Sequence, residues 1–239
     1  WMGLDKFYKY DGTVQTLDCD LKRYVFNDIN TVQSGQIFAG TCESFNEVWW
    51  FYCSASSNTI NRYVVYNYLE NIWYHGSMSR TAWLDAVLVP NPTGATASNT
   101  LVYHEYGVDA NETGTPVAMN AYITSAEFDT DDGQNFGFIW RAIPDITFVN
   151  STTSNPYVTL TLNALTGSGS GYLAQVLDGS SLSSTVTRSA SAPVEQYTNQ
   201  VNIRARGRQF SMSISSNQLG TAWKVGSMRI DVRTDGRRG

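Results

Sequence analysis

The chain has 239 residues, 42% of them hydrophobic and 13% aromatic, enough for one large β domain or two smaller ones and too apolar for a disordered segment. Charged residues make up 15%, against about 25% in typical globular proteins, and the formal net charge is −5. Few charges beside many Tyr, Trp, Asn, Ser and Thr point to extended β surfaces that pack or associate, and no apolar run approaches the roughly 20 residues of a bilayer-spanning helix, so no membrane span is expected.

The sequence opens at Trp1 on turn-and-strand residues, without an initiator Met or a signal peptide, and is expected to be a fragment of a longer protein. Helical signals are almost absent: nearly every apolar run is short, β-branched or aromatic, and bounded by Gly, Asn, Asp or Ser. FYKY at 7–10 is the first strand, followed by Asp11-Gly12, the strongest short hairpin signal. A strand is predicted at 35–38. The segment 47–76, EVWWFYCSASSNTINRYVVYNYLENIWYHG, reads as three strands at 47–53, 61–67 and 72–76. An aromatic strand folding back through a polar turn (Glu70, Asn71) to a strand with Trp73 is the layout of a β-propeller blade. A blade cannot bury its faces alone, so neighbours are implied. Further strands are predicted at 82–89 and 101–106, with 90–99 (PNPTGATASN) as a loop. FYKYDG, YVVYNYLEN and LVYHEYGVD look like degenerate copies of one unit, at separations of roughly 50 and 40 residues that suit blades.

From Met119 the strands lengthen and alternate more cleanly: 119–128, 136–148, 157–164, 196–206, 209–215 and 228–233. In YVTLTLNA, Val158, Leu160, Leu162 and Ala164 point one way and Thr159, Thr161 and Asn163 the other, as in a half-buried antiparallel strand. The Gly/Ser-rich stretch 166–193 reads as a loop, or as a segment that orders against a neighbouring subunit. The predicted fold class is therefore all-β: propeller-type blades over 1–117, incomplete at the N-terminus, then a platform-like antiparallel β-sandwich or barrel over 118–239.

Chemistry-bearing motifs are sparse. DTDDG (129–133) approaches a calcium loop, but its spacing is off by one residue and no Glu follows at the twelfth position, so an acidic hairpin turn is the better reading. Cys19, Cys42 and Cys53 cannot all pair internally and read as free thiols. There is no G-x-S-x-G, P-loop or G-x-G-x-x-G, and two histidines, His75 and His104, offer little for acid–base catalysis. No catalytic, cofactor or metal residue is assigned, and the protein is expected not to be an enzyme. Exposed tryptophans on propellers bind glycans, which puts Trp49, Trp50, Trp73 and Trp83 in view; their place within strands favours core packing instead. Two tripeptides, Asn111-Glu-Thr113 and Asn150-Ser-Thr152, match glycosylation sequons that arise easily by chance.

Charge is unevenly spread. Residues 1–140 hold 6 Lys+Arg against 16 Asp+Glu, net −10, while residues 141–239 hold 10 against 5, net +5. In VNIRARGRQFSMSIS, Arg204, Arg206 and Arg208 alternate with Ile203 and Ala205, so a strand places three guanidinium groups on one face. Arg229, Arg233, Arg237 and Arg238 add to this positive end. These seven are the candidate interface or DNA-contact residues. The alternatives are a solvated face, phosphate contacts, or salt bridges to an acidic face of a neighbouring subunit. Subunit contacts are preferred, because no aromatic residues interleave these arginines as single-strand binding would require.

Several ordered blocks resemble one family. GQIFAGTCESFNEVWWFY, INRYVVYNYLENIWYHG, RTAWLDA, LVYHEYG, FIWRAIPDITF and RGRQFSMSISSNQLGTAWKVGSMRIDVRTDGRR are similar to the packaged-DNA stabilisation, or tail nozzle, proteins of short-tailed bacteriophages. The likeness runs over nearly the whole chain, departing most at 166–193. It implies a structural virion protein, made in the bacterial host cytoplasm and carried in the phage tail. It further implies a hexameric ring below the portal, contacting portal and adaptor proteins, with a propeller outside and a β domain toward the adaptor. Such a ring would be a conduit that retains packaged double-stranded DNA without sequence-specific binding and releases it on infection, with a segment of chain preceding Trp1. The alternative function is a glycan-binding or glycan-cleaving propeller used in host recognition.

Overall fold

The structure, a computed structural model, describes residues 1–86, 90–130, 135–165 and 188–236. The described residues are mostly β-strand, with one short α-helix among them, and the chain divides into two compact units, Trp1–Tyr106 and Gly107–Gly239. The sequence reading places the break at 117/118. In the structure residues 107–118 belong to the second unit: the Asp109 carboxylate accepts the Gly220 N–H at 2.8 and 3.0 Å, and Ala110 bridges Val117.

In the first unit, β1 (Phe7–Tyr10) and β2 (Val14–Leu17) form a hairpin in the register Phe7 to Leu17, turning at Asp11-Gly12, where Gly12 has φ 107°. The helix α1 (Lys22–Asp28) follows, then a 3-10 stretch over Thr31–Gln36, where a strand was expected at 35–38. Next come β3 (Phe38–Cys42), β4 (Glu47–Tyr52), β5 (Arg62–Asn67) and β6 (Ile72–Ser77), a four-stranded antiparallel meander paired in sequence order. Asn46 and Asn71 take left-handed φ values of 60° and 56° at two of its turns, a conformation Asn adopts more readily than most residues. The sheet buries both faces, which is why EVWWFY is apolar without alternation. Trp50, Tyr52 and Val64 pack on Phe7, Val25 and Ile29 from the hairpin and helix side. Trp49, Phe51 and Val65 pack the other way, with Phe38, Met78 and Trp83. Trp83 lies on β7 (Ala82–Leu84), which forms a three-stranded sheet with β8 (Thr93–Ala95) and β9 (Leu101–Tyr103). Of the strand predicted at 82–89, residues 87–89 lie outside the described residues.

The second unit contains β10 (Ala121–Thr124), β11 (Phe128–Asp129), β12 (Gly137–Ile143), β13 (Ile146–Thr147) and β14 (Tyr157–Leu165). It continues with β15 (Arg188–Glu195), β16 (Ala205–Gly207), β17 (Gln209–Ser216), β18 (Lys224–Val225) and β19 (Arg229–Thr234). The order β10-β17-β14-β15, with β11 also on β17, makes one antiparallel sheet; β16-β12-β19 makes another, and β13 pairs β18. The described strands form open sheets rather than a closed barrel. Val158, Leu160, Leu162, Ala164, Phe210 and Ile214 of the larger sheet share one core with Ile139, Ala142 and Ala205 of the smaller, against which Ile230 and Val232 pack. The alternation expected in YVTLTLNA holds residue by residue.

The strands expected at 119–128 and 136–148 each break in two, into β10 and β11 and into β12 and β13, and two further expectations fail. Part of the 166–193 stretch, residues 188–193, belongs to β15 rather than to a loop, its small side chains (RSASAPVE) pairing with β14 from Tyr157–Glu195 through Ala164–Arg188; residues 166–187 lie outside the described residues. Within the strand expected at 196–206, residues 196–204 are irregular apart from the Val201–Ala142 bridge, and regular pairing starts at Ala205.

Candidate functional site

The arginines converge on the outer face of the β16-β12-β19 sheet. Residues 201, 203, 205 and 207 point into the core and 202, 204, 206 and 208 point out, so the predicted alternation of Arg204, Arg206 and Arg208 is present although β16 covers three residues. On β19, Ile230 and Val232 pack on the core, which turns Arg229, Asp231 and Arg233 outward. The central strand β12 buries Gly137 and Ile139 and so presents Phe138 and Trp140 on the same outer face, with Phe136 just before the strand. Phe138 stands between Arg206 on one side and Arg233 on the other, its register partners on both neighbours.

The cations lie on the rings. The Arg206 guanidinium is 4.3 Å and that of Arg208 5.1 Å from the Phe136 ring centre, and Arg233 is 4.8 Å from Phe138 and 5.9 Å from Trp140. Arg206 pairs with Asp235 through Nε and donates from Nη2 to the Asp235 carbonyl at 3.2 Å. Arg141, brought outward at a bulge between Ile139 and Arg141, pairs with Asp231 and donates to Gln200 Oε1 at 3.2 Å. Among the described residues the face thus carries six arginines (141, 204, 206, 208, 229 and 233) and two carboxylates, Asp231 and Asp235. Among the described residues, Arg204, Arg229 and Arg233 have no carboxylate within salt-bridge distance. Arg237 and Arg238 lie outside the described residues.

Sequence reasoning missed Arg141 and all three rings. The premise that no aromatics interleave the arginines holds along residues 204–208 and fails in space, because the rings come from the neighbouring strand. The signal was in FGFIWR: Phe136, Phe138 and Trp140 at alternate positions around buried Ile139.

Elsewhere, polar groups are tied into packing. The four tryptophans weighed as glycan contacts form two stacked pairs on opposite faces of the meander, Trp49 with Trp83 at 5.2 Å and Trp50 with Trp73 at 5.8 Å. The Trp83 indole N–H donates to the Thr41 carbonyl at 2.8 Å and that of Trp73 to the Asp18 carbonyl at 2.9 Å. Buried Glu47 accepts from the Trp49 indole at 3.0 Å and from the Tyr74 hydroxyl. Burial, with the Glu47 charge second, pushes the Glu105 carboxyl up. His75 lies tilted against Tyr24, ring centres 3.9 Å apart, and is pushed down by burial and by Arg62. His104 accepts from Arg80 Nε at 2.9 Å, and burial together with that guanidinium lowers it to about 4. The three cysteines are free thiols; burial raises Cys19 and Cys42 to about 11. Among the described residues no group of three or more His, Cys, Asp or Glu could hold a metal ion; Asp131, Asp132 and Gly133 of DTDDG lie outside them.

The fold and this face define an all-β protein with one cationic, ring-lined sheet surface. Neither a family model nor a curated protein matches the chain.

Proposed function

We propose that this chain is a structural component of a bacteriophage tail, a nozzle-type protein of the short-tailed phages. In this reading it forms a ring-shaped, hexameric conduit with adaptor and portal proteins, retains packaged double-stranded DNA in the virion and lets it exit on infection, without catalysis. One observation carries the proposal. Two of the family-like blocks, residues 35–52 and 60–76, fall on β3, β4, β5 and β6, which together make one four-stranded antiparallel meander buried on both faces. That is the form a propeller blade takes, with aromatic strands that need cover on either side. The first unit's excess of acid, 10 Asp+Glu against 6 Lys+Arg, has the sign that a head-to-tail contact with a basic surface on the next subunit requires, the heterologous kind that closes a ring by rotation. A glycan-binding propeller is less well supported, because the tryptophans it would use are stacked in pairs.

The test is assembly. The full-length polypeptide should form six-fold rings with an axial opening by negative-stain microscopy and leave a glycan array unlabelled. A monomer that binds glycans would overturn the proposal.

A further inference from the structure

We propose that the outer face of the β16-β12-β19 sheet binds single-stranded nucleic acid, stacking unpaired bases on its ring–guanidinium pairs while the exposed arginines contact phosphates. This goes beyond the conduit reading and does not depend on it, since a duplex moving through a lumen offers no unstacked bases.

Charge complementarity comes first. Among the described residues the face carries six arginines and two aspartates, in a chain whose net charge is −5. The distribution matches a line of phosphates better than a single anion. Arg204, Arg206 and Arg208 alternate along one edge, at roughly 6.8 Å steps for extended chain, while Arg229 and Arg233 flank the other side of β12. Arg204 and Arg229 are exposed, and with Arg233 they have no carboxylate partner among the described residues. Phosphate contacts of this kind supply affinity without sequence preference.

The rings decide between occupants. An acidic protein surface or a DNA duplex would need the arginines alone. Phe136, Phe138 and Trp140 form a row through the middle of the face, with Arg206, Arg208 and Arg233 lying over them. Trp140 remains 36% exposed at the bulge. A sheet whose central strand offers aromatic rings, edged by arginines whose flat guanidinium groups also stack, is the surface that unpaired bases use, because every base has a π-face. Bases in a duplex are already stacked on each other and cannot use it.

The experiment is fluorescence anisotropy of a labelled fifteen-nucleotide oligothymidylate with the whole chain, titrated at several salt concentrations. We expect saturable binding that weakens with salt, and weaker binding of a duplex of the same length. Arg204→Gln and Arg229→Gln should each reduce the salt slope by about 0.7, one single-strand phosphate contact. Trp140→Leu should weaken binding roughly tenfold with the slope unchanged, as loss of one stacked base requires. Should that variant not fold, ultraviolet cross-linking of a bromodeoxyuridine-substituted strand to the unaltered protein gives the same answer: the linked peptide should contain residues 136–141. The proposal is overturned if the strand does not bind at low salt, if the duplex binds as tightly, if polyglutamate competes as well as oligothymidylate, or if the cross-link maps elsewhere. Ring formation is read separately, by microscopy, and polyglutamate competing as well as oligothymidylate would return the face to a contact with an acidic subunit surface, so the failure of either proposal is distinguishable from that of the other.

Discussion

At the scale of single residues, burial and its polar compensation make definite predictions. His104 sits under Trp83, ring centres 4.5 Å apart, and takes a hydrogen bond from Arg80 that requires its Nε2 to be unprotonated. Its folded-state value near 4 lies below the ordinary 6.5, so between those values the unfolded chain binds more protons. Stability should therefore be full above about pH 6.5 and decline as pH falls toward 4, with His75 contributing in the same direction. Glu105, shifted up, opposes this, since its contribution is lost as pH rises through its raised value. Urea midpoints of the native chain and of His104→Gln between pH 7 and 4 check the sign: the variant should have the shallower acid limb, and parallel limbs would show that His104 is not buried neutral. Gly40 is a second such position. Its backbone lies against the Trp83 ring, which occupies the space a Cβ would take. Gly40→Ala should cost about 1–3 kcal/mol by overpacking and disturb the Trp49–Trp83 stack, measured by denaturant unfolding with tryptophan fluorescence.

At the scale of elements, strands were legible where periodicity or aromatic content was strong. YVTLTLNA and QFSMSIS show their buried faces directly, and RYVVYN and EVWWFY were recognisable as strands from β-branched and aromatic content. The segment 188–195 was not, because Ser and Ala carry little β signal and its place as an edge strand comes from pairing with β14. Helix α1 was missed because seven residues with one buried side chain, Val25, are too short to show a 3.6-residue period. Its worth lies in covering the meander, not in its own propensity. Truncating Trp50, held between Phe7 and Trp73, to Ala should cost about 3–5 kcal/mol in unfolding experiments, and Leu160→Ala in the other core about 2–5 kcal/mol. The arginine face was half legible. Alternation in the sequence revealed Arg204, Arg206 and Arg208, but which strand would lie beside them is a matter of tertiary pairing, and the rings of β12 came from residues more than sixty positions away in sequence.

At the scale of the whole molecule, charge and topology give different divisions. Cutting the sequence at 140 separates −10 from +5, whereas the compact units hold 6 basic against 10 acidic residues in Trp1–Tyr106 and 10 against 11 in Gly107–Gly239. The acidic residues between 107 and 140 therefore share a unit with the arginines, and the positive charge is concentrated on one sheet face rather than over a domain. Were that face occupied by an acidic surface of the next subunit in the proposed nozzle instead of by nucleic acid, the contact would be salt-sensitive. Reversing Arg204, Arg206 and Arg208 to Glu should then impair ring or adaptor assembly; particles that assemble normally but leak DNA would instead place these arginines on the conduit side. Most direct for the central claim is electron microscopy of the full-length polypeptide: the nozzle reading predicts six-fold rings with an open axial channel, and a uniform population of monomers would contradict it.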